Sequence, residues 1–278
     1  MKVVAYTALA LVAFAFNSIL CRLALRGNEA DAVGFTVVRL VSGAVMLIVI
    51  SHFATRKAGG LKSGTWASAF FLFAYAICFS LAYLDLTAGT GALILFGSVQ
   101  LTMIIVSLIK GERPRTLEWI GLIIASGGLA YLLMPGLESP PLLAAALMAA
   151  AGASWGFYSL RGRGSTDPIA NTTGNFVRAV PMILIVAIPF FARVHLTPRG
   201  WMFAALSGAV TSGIGYSFWY AALKYHTAIR AAILQLPVPL LTAFLGILLL
   251  GEVASMRLWI ASALVLGGIG LTIAAKKR

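Results

Sequence analysis

Long apolar stretches alternate with short polar clusters along the chain. Ten of them are long enough to cross a bilayer: Val3–Leu20, Val33–Ile50, Thr65–Leu84, Ala88–Ile109, Leu117–Met134, Leu142–Tyr158, Thr173–Phe191, Trp201–Tyr220, Ala228–Leu250 and Leu258–Ala275. A helical span needs about 20 residues, with a working range of about 17 to 25, to cover roughly 30 Å of hydrocarbon. The pattern therefore predicts an all-α membrane protein with ten transmembrane helices. The tightest divisions are "DLT" at Asp85–Thr87 and "KYHT" at Lys224–Thr227. Each separates two apolar segments whose combined length is too great for one tilted span. The opening "MKVVAYTALALVAFAFNSIL" has a long apolar run and no small-x-small cleavage site ahead of a soluble domain. It is expected to remain as the first span.

Composition agrees: 60% of the 278 residues are hydrophobic, 10% are charged, and the mean hydropathy is +0.96. Soluble domains carry about a quarter charged residues, which excludes ordinary water-soluble folding. The net charge of +13 lies in short clusters between the apolar runs. That dispersal argues against a nucleic-acid surface and for lipid headgroups and topology control. With ten spans, fourteen basic residues fall on the side that holds both termini and five (Arg22, Arg26, Arg193, Arg199, Arg257) on the other. The excess places both termini in the cytoplasm. Arg39 and Arg178 remain, inside spans two and seven. Cys21 and Cys78 form neither a disulfide scaffold nor a zinc cluster.

A repeat runs through the chain at an offset of 140: Thr87-Ala88 matches Thr227-Ala228, Gly111-Glu112 matches Gly251-Glu252, Trp119-Ile120 matches Trp259-Ile260, and Gly127-Gly128 matches Gly267-Gly268. With a slip of one residue, Val38-Arg39 matches Val177-Arg178. The chain thus divides into units 1–137 and 138–278 of five spans each. Five is odd, so the second unit enters the membrane from the opposite face, giving a 5+5 inverted repeat. Gly111, Glu112, Gly251 and Glu252 are expected to be architectural. Glycine relieves crowding at the turn, and glutamate bonds free backbone groups or pairs with nearby bases. The glycine pairs permit close helix contact.

These features resemble the drug/metabolite transporter superfamily, in its ten-span bacterial branch with two EamA-type domains. The resemblance rests on the five-span halves, "SWGF" at Ser154–Phe157, "VR" at Val38-Arg39 and Val177-Arg178, and the apolar-Gly-Glu sequences ending at Glu112 and Glu252. "AFNS" at Ala15–Ser18 departs from the pattern by lacking the tryptophan-glycine pair, and Gly97 stands where the second half has Pro237. The resemblance implies export or exchange of small metabolites, amino acids and aromatic amino acids included, without a cofactor. It also implies a central pore lined by spans one, three, four, six, eight and nine.

Polar and aromatic residues inside the spans are the candidates for that lining: Asn17, Tyr75, Phe79, Tyr83, Gln100, Trp155, Tyr158, Tyr216, Trp219, Tyr220 and Gln235. Phe79 and Tyr83, like Tyr216 and Tyr220, are four apart and share a helix face. Tyr83 and Tyr220 serve either the pore or an interfacial belt. Buried amides need partners for both their donors and their acceptor, and Asn17 and Gln235 are assigned to a ligand. Pro237 and Pro239 remove two backbone donors beside Gln235, suggesting a hinge or gate. Arg39 and Arg178 either anchor structure or recognise a substrate anion through the guanidinium fork.

No acid lies near the centre of a span, which argues against an essential mid-membrane carboxylate for proton coupling. The expectation is facilitative export or exchange of small amphipathic metabolites across the bacterial inner membrane. Membrane lipids are the other partners, with no nucleic acid and no obligate protein partner. Organic-phosphate or nucleotide-sugar exchange is the alternative within transport. A membrane-embedded biosynthetic enzyme would need clustered chemistry, and His52, His195 and His226 stand in separate loops.

Overall fold

A computed structural model describes residues 2–55, 63–109, 116–134, 136, 139–163, 165–223, 225, 234–235 and 237–275. Among them the fold is all-α apart from one isolated bridge, Ala30 with Leu196. Ten helical rods follow one another: α1 Lys2–Arg26, α2 Ala32–Thr55, α3 Trp66–Ala82, α4 Ala88–Ile109, α5 Thr116–Leu133, α6 Leu142–Gly162, α7 Pro168–Ala187, α8, α9 Pro237–Leu250 and α10 Met256–Ala275. Rod α8 has three continuous parts: α-helical Pro198–Leu206, π-helical Ser207–Ile214 and α-helical Gly215–Leu223. Five helices among the described residues are long and apolar enough to cross a membrane: Val3–Arg26, Ala32–Phe53, Ala88–Val106, Leu142–Gly162 and Pro168–Arg193.

Local chemistry sets several starts. The Thr65 side chain accepts from Ser68 N, Asp167 from Ala170 N and Thr197 from Gly200 N, and the last two are followed by Pro168 and Pro198. An oxygen-bearing cap followed by proline satisfies one orphan donor and removes another. α1 runs six residues past the apolar stretch that predicts it. Cys21, Ala24 and Leu25 remain buried there, so the turns carrying Arg22 and Arg26 still have an apolar face to pack.

The exterior is far more apolar than that of a soluble protein, over a core that is itself mostly apolar. Large apolar side chains such as Phe53, Ile109, Leu142 and Phe191 are exposed, whereas Arg39, Asn17, Gln100 and Gln235 are buried. An apolar exterior of this kind suits hydrocarbon, and the buried polar groups converge between helices.

Packing joins the two halves of the chain throughout. α2 lies along α7, α4 against α9 and α5 against α10; α1 packs on α8 and α9, α6 on α3 and α4, α2 on α8, and α7 on α3. Exchanging each helix for the one five places away turns each of these contacts into another member of the same set. The α5–α10 crossing uses one glycine of each pair. A Cβ on Gly128 would stand 2.7 Å from Leu264 Cβ, and one on Gly268 would stand 2.6 Å from Ala125 N, whereas Gly127 and Gly267 face open space.

The helix ends gather in two sets. At one end the α1–α2 turn meets the segment before α8: Asp31 N donates to His195 O, Thr197 N donates to Glu29 O, and Thr197 Oγ1 bonds Glu29 Oε2. At the other end the start of α3 meets α6 and α7. Gly64 N donates to Asn171 Oδ1 at 3.0 Å, Thr65 N to Asn175 Oδ1 at 2.9 Å, and Arg161 Nε to Ser68 Oγ at 3.0 Å.

Candidate functional site

Midway between these ends, α1, α3, α4, α6 and α8 surround a cavity lined by Phe14, Asn17, Ser18, Tyr75, Phe79, Leu95, Phe96, Trp155 and Tyr216. Its volume is about 10 Å³, room for roughly one water molecule. A metabolite enters such a space only if the surrounding helices move apart.

Aromatic rings make most of the wall. Ring centroids are separated by 4.8 Å for Trp155–Tyr216, 5.1 Å for Tyr75–Trp155 and 5.4 Å for Tyr75–Phe79. Phe14 stands edge-on to Trp155 and Tyr216, each at 5.9 Å, and to Trp219 at 5.6 Å. Such offset and edge-to-face pairs are favourable beyond simple burial. Phe14 and Phe96 are absent from the sequence-based list, which favoured polar and hydroxylated aromatic positions. Phe14 precedes Asn17 by three residues and Ser18 by four, so it shares their helix face.

One polar patch interrupts the wall. Asn17 Nδ2 donates to Tyr75 Oη at 3.3 Å, while Asn17 Oδ1 accepts from Ser207 Oγ at 2.7 Å and Thr211 Oγ1 at 3.1 Å. Ser207 and Thr211 belong to the π-helical part of α8. Its wider turn interrupts the α-helical spacing, so the sequence pattern did not identify either residue as a partner of Asn17. Behind Tyr75 lies Arg39, which is 1% exposed. It donates from Nη2 to Tyr75 Oη at 3.0 Å and from Nε to Ser212 Oγ at 3.3 Å. Its guanidinium carbon is 5.1 Å from the Tyr75 ring centroid and 5.0 Å from that of Phe79. Nη1 has no hydrogen-bond partner among the described residues.

The other candidates occupy different surroundings. Tyr83 is fully buried, with its ring 4.7 Å from Phe79 and its hydroxyl donating to Ala88 O at 3.3 Å. Tyr220 is also buried and stands edge-on to Tyr158 at 6.3 Å; neither Tyr83 nor Tyr220 occupies an exposed belt. Tyr158 lies 5.6 Å from Trp155, one layer beyond the cavity, and Trp219 is buried behind Phe14. Gln100 and Gln235 are buried outside the lining. Arg178, unlike Arg39, binds backbone. Its Nη1 donates to Ser63 O and, at 2.9 Å, to Gly174 O, which ties α7 to the segment before α3.

Pro237 and Pro239 lie in α9, with helical residues 234–235 just ahead of it, and each lacks a backbone N–H. Gly251 follows the last residue of α9 with φ +61°, a left-handed conformation that favours glycine. It turns Glu252 back to accept from Ala88 N at 2.8 Å and from Arg22 Nε at 3.1 Å. Gly111 and Glu112 lie outside the described residues. Among the described residues, no group of three His, Cys, Asp or Glu side chains is placed to hold a metal.

Comparison with known proteins adds family evidence to this geometry. Residues 142–274 match the profile of the EamA-like transporter family. An uncharacterized Pseudomonas aeruginosa protein, PA1977, is 48% identical over 97% of this chain and 94% of its own length. An uncharacterized transporter of Bacillus subtilis, YwfM, is 26% identical over 92% of this chain and 88% of its own. A solved crystal structure superposes over 98% of this chain and 97% of its own with a TM-score of 0.70; at 18% identity it speaks for the fold alone.

Proposed function

The chain belongs to the EamA-like transporter family, and from that premise we propose that it exports or exchanges small amphipathic metabolites across the bacterial inner membrane. Amino acids with apolar or aromatic side chains are the foremost candidates. The observation that carries this reading is the aromatic-walled cavity with one polar patch, built by α1, α3 and α4 from the first half and α6 and α8 from the second. An apolar substrate body would meet Trp155, Tyr216, Phe14 and Phe79. Its polar head would meet Asn17 and Tyr75, and Gln235 and the Pro237–Pro239 turn would contribute as the site opens.

Transport on this reading is alternating access by two oppositely oriented units, 1–137 and 138–278, with both termini cytoplasmic. The exchange relation among the helix contacts supports a two-fold arrangement, and the odd number of spans per unit makes it inverted. The water-sized cavity then corresponds to a contracted intermediate. The contact set around Arg22 and Glu252 seals the non-cytoplasmic end. Among the described residues no carboxylate lines the cavity, which favours facilitated movement over proton coupling.

Organic-phosphate exchange is the second reading, and Arg39 is the observation in its favour. A phosphate dianion calls for converging cations, yet Arg178 is engaged with backbone carbonyls beside α3. Counterflow in proteoliposomes separates the two readings. Saturable exchange of phenylalanine or leucine that ignores an imposed proton gradient is expected. Exchange confined to phosphorylated compounds would replace the first reading with the second, and strict dependence on the gradient would end the facilitative mechanism.

A further inference from the structure

Arg39 is a permanent cation with no carboxylate partner among the described residues. Its neighbours are a tyrosine hydroxyl, a serine hydroxyl and two aromatic faces. Guanidinium does not release its proton in proteins, and a buried charge without a counter-ion is unfavourable. A residue serving packing alone would need no open donor, yet Nη1 is buried and unbonded. Tyr75 links this charge to the cavity. It lines the space and its oxygen accepts from both Arg39 Nη2 and Asn17 Nδ2. With both lone pairs engaged, the Tyr75 hydroxyl can act toward a ligand only as a donor. The Tyr216 hydroxyl, also on the lining, has no hydrogen-bond partner within 3.5 Å among the described residues. The polar patch therefore offers donors backed by positive charge, a surface that suits an anionic oxygen and opposes an ammonium group.

We propose that Arg39 is the charge-selective residue of the site and that the substrates are amphipathic carboxylates. The carboxylate is held at Tyr75 and Asn17, reaches the open Nη1 edge of Arg39 as the helices separate, and leaves the apolar body against Trp155 and Phe14. The substrate class thus extends beyond amino acids to apolar monocarboxylates lacking an amino group, and excludes cationic amines. The inference deepens the transport reading by rejecting any substrate without a carboxylate.

The test uses the full-length protein in nanodiscs and in proteoliposomes, with phenylalanine, 3-phenylpropanoate and phenylalaninamide as probes. Thermal stabilisation in nanodiscs reports binding; inhibition of counterflow reports transport. The two carboxylates are expected to act at about tenfold lower concentration than the amide, the factor that one charge-assisted hydrogen bond supplies. Tyr75→Phe keeps the ring and should shrink that ratio, as should Arg39→Gln. Arg178→Gln should lower thermal stability and leave the ratio unchanged. Equal potency of amide and carboxylates overturns the inference, as does an unchanged ratio in folded Tyr75→Phe or absence of stabilisation by either carboxylate. Carboxylate-selective binding without counterflow would sustain the inference and overturn the transport reading. Transport of all three probes alike would do the reverse.

Discussion

Arg22 Nε and Glu252 Oε1 lie 3.1 Å apart in an ion pair whose side chains are 11% and 7% exposed. Arg22 Nη1 also donates to Tyr83 O at 2.9 Å, and Ala88 N donates to Glu252 Oε2 at 2.8 Å. Four elements meet at this point: α1, the end of α3, the start of α4 and the turn after α9. The carboxylate caps the N-terminus of α4, where the helix dipole favours negative charge. Breaking such a pair leaves a nearly buried charge without its partner, a loss of about 3 kcal/mol or more.

Glu252→Gln is therefore expected to lower the melting temperature and loosen the end of the protein that this pair closes. In a background lacking Cys21 and Cys78, a cysteine at Ser18 should react faster with a membrane-impermeant maleimide when Glu252 is Gln. Unchanged labelling and unchanged melting would reduce the pair to a surface contact.

Trp155→Ala should raise the substrate concentration at half-saturation about tenfold, while insertion into the membrane persists. Trp155 meets Phe14, Tyr75, Tyr158 and Tyr216, and aromatic pairs contribute about 0.5–1.5 kcal/mol each beyond burial. Trp155→Phe should fall between. Counterflow at graded substrate, normalised to folded protein, reads the effect; loss of folded protein without a change in half-saturation would assign Trp155 to packing.

Gly268→Val should destabilise the protein by about 1–3 kcal/mol or more through overpacking at the α5–α10 crossing. Gly267→Val, on the open side of the same helix, should be tolerated. Thermal unfolding in matched detergent compares them, and equal effects would contradict the crossing.

Asn17→Ala removes the acceptor of Ser207 Oγ and one donor to Tyr75, while Thr211 Oγ1 keeps its 2.7 Å bond to Ser207 O. Leaving a buried hydroxyl unsatisfied costs about 1–3 kcal/mol. Stability should fall by that order, and the preference for carboxylate probes should weaken because Tyr75 loses one of the two bonds that orient it. A stable variant with unaltered selectivity would remove Asn17 from the site.

The sequence by itself marked ten apolar stretches, and ten helical rods stand on them among the described residues. Hydrophobic length and spacing are local properties, and caps such as Asp167-Pro168 and Thr197-Pro198 act within one turn. It could not assign the inward face of each rod. Lipid and a neighbouring helix are equally apolar, so the amphipathic stripe that marks the core face of a soluble helix is weak or missing in most of these.

Only the tertiary structure decided between members of matched pairs. Arg39 and Arg178 occupy equivalent places in the repeat, yet one backs the cavity while the other binds the carbonyls of Ser63 and Gly174. Gly128 and Gly268 make the crossing while Gly127 and Gly267 do not. Phe14 joins the aromatic wall because the rotation of α1 carries it toward α6 and α8. Each distinction depends on helix rotation, which is set by packing between segments far apart in the chain rather than by hydrophobic spacing within one.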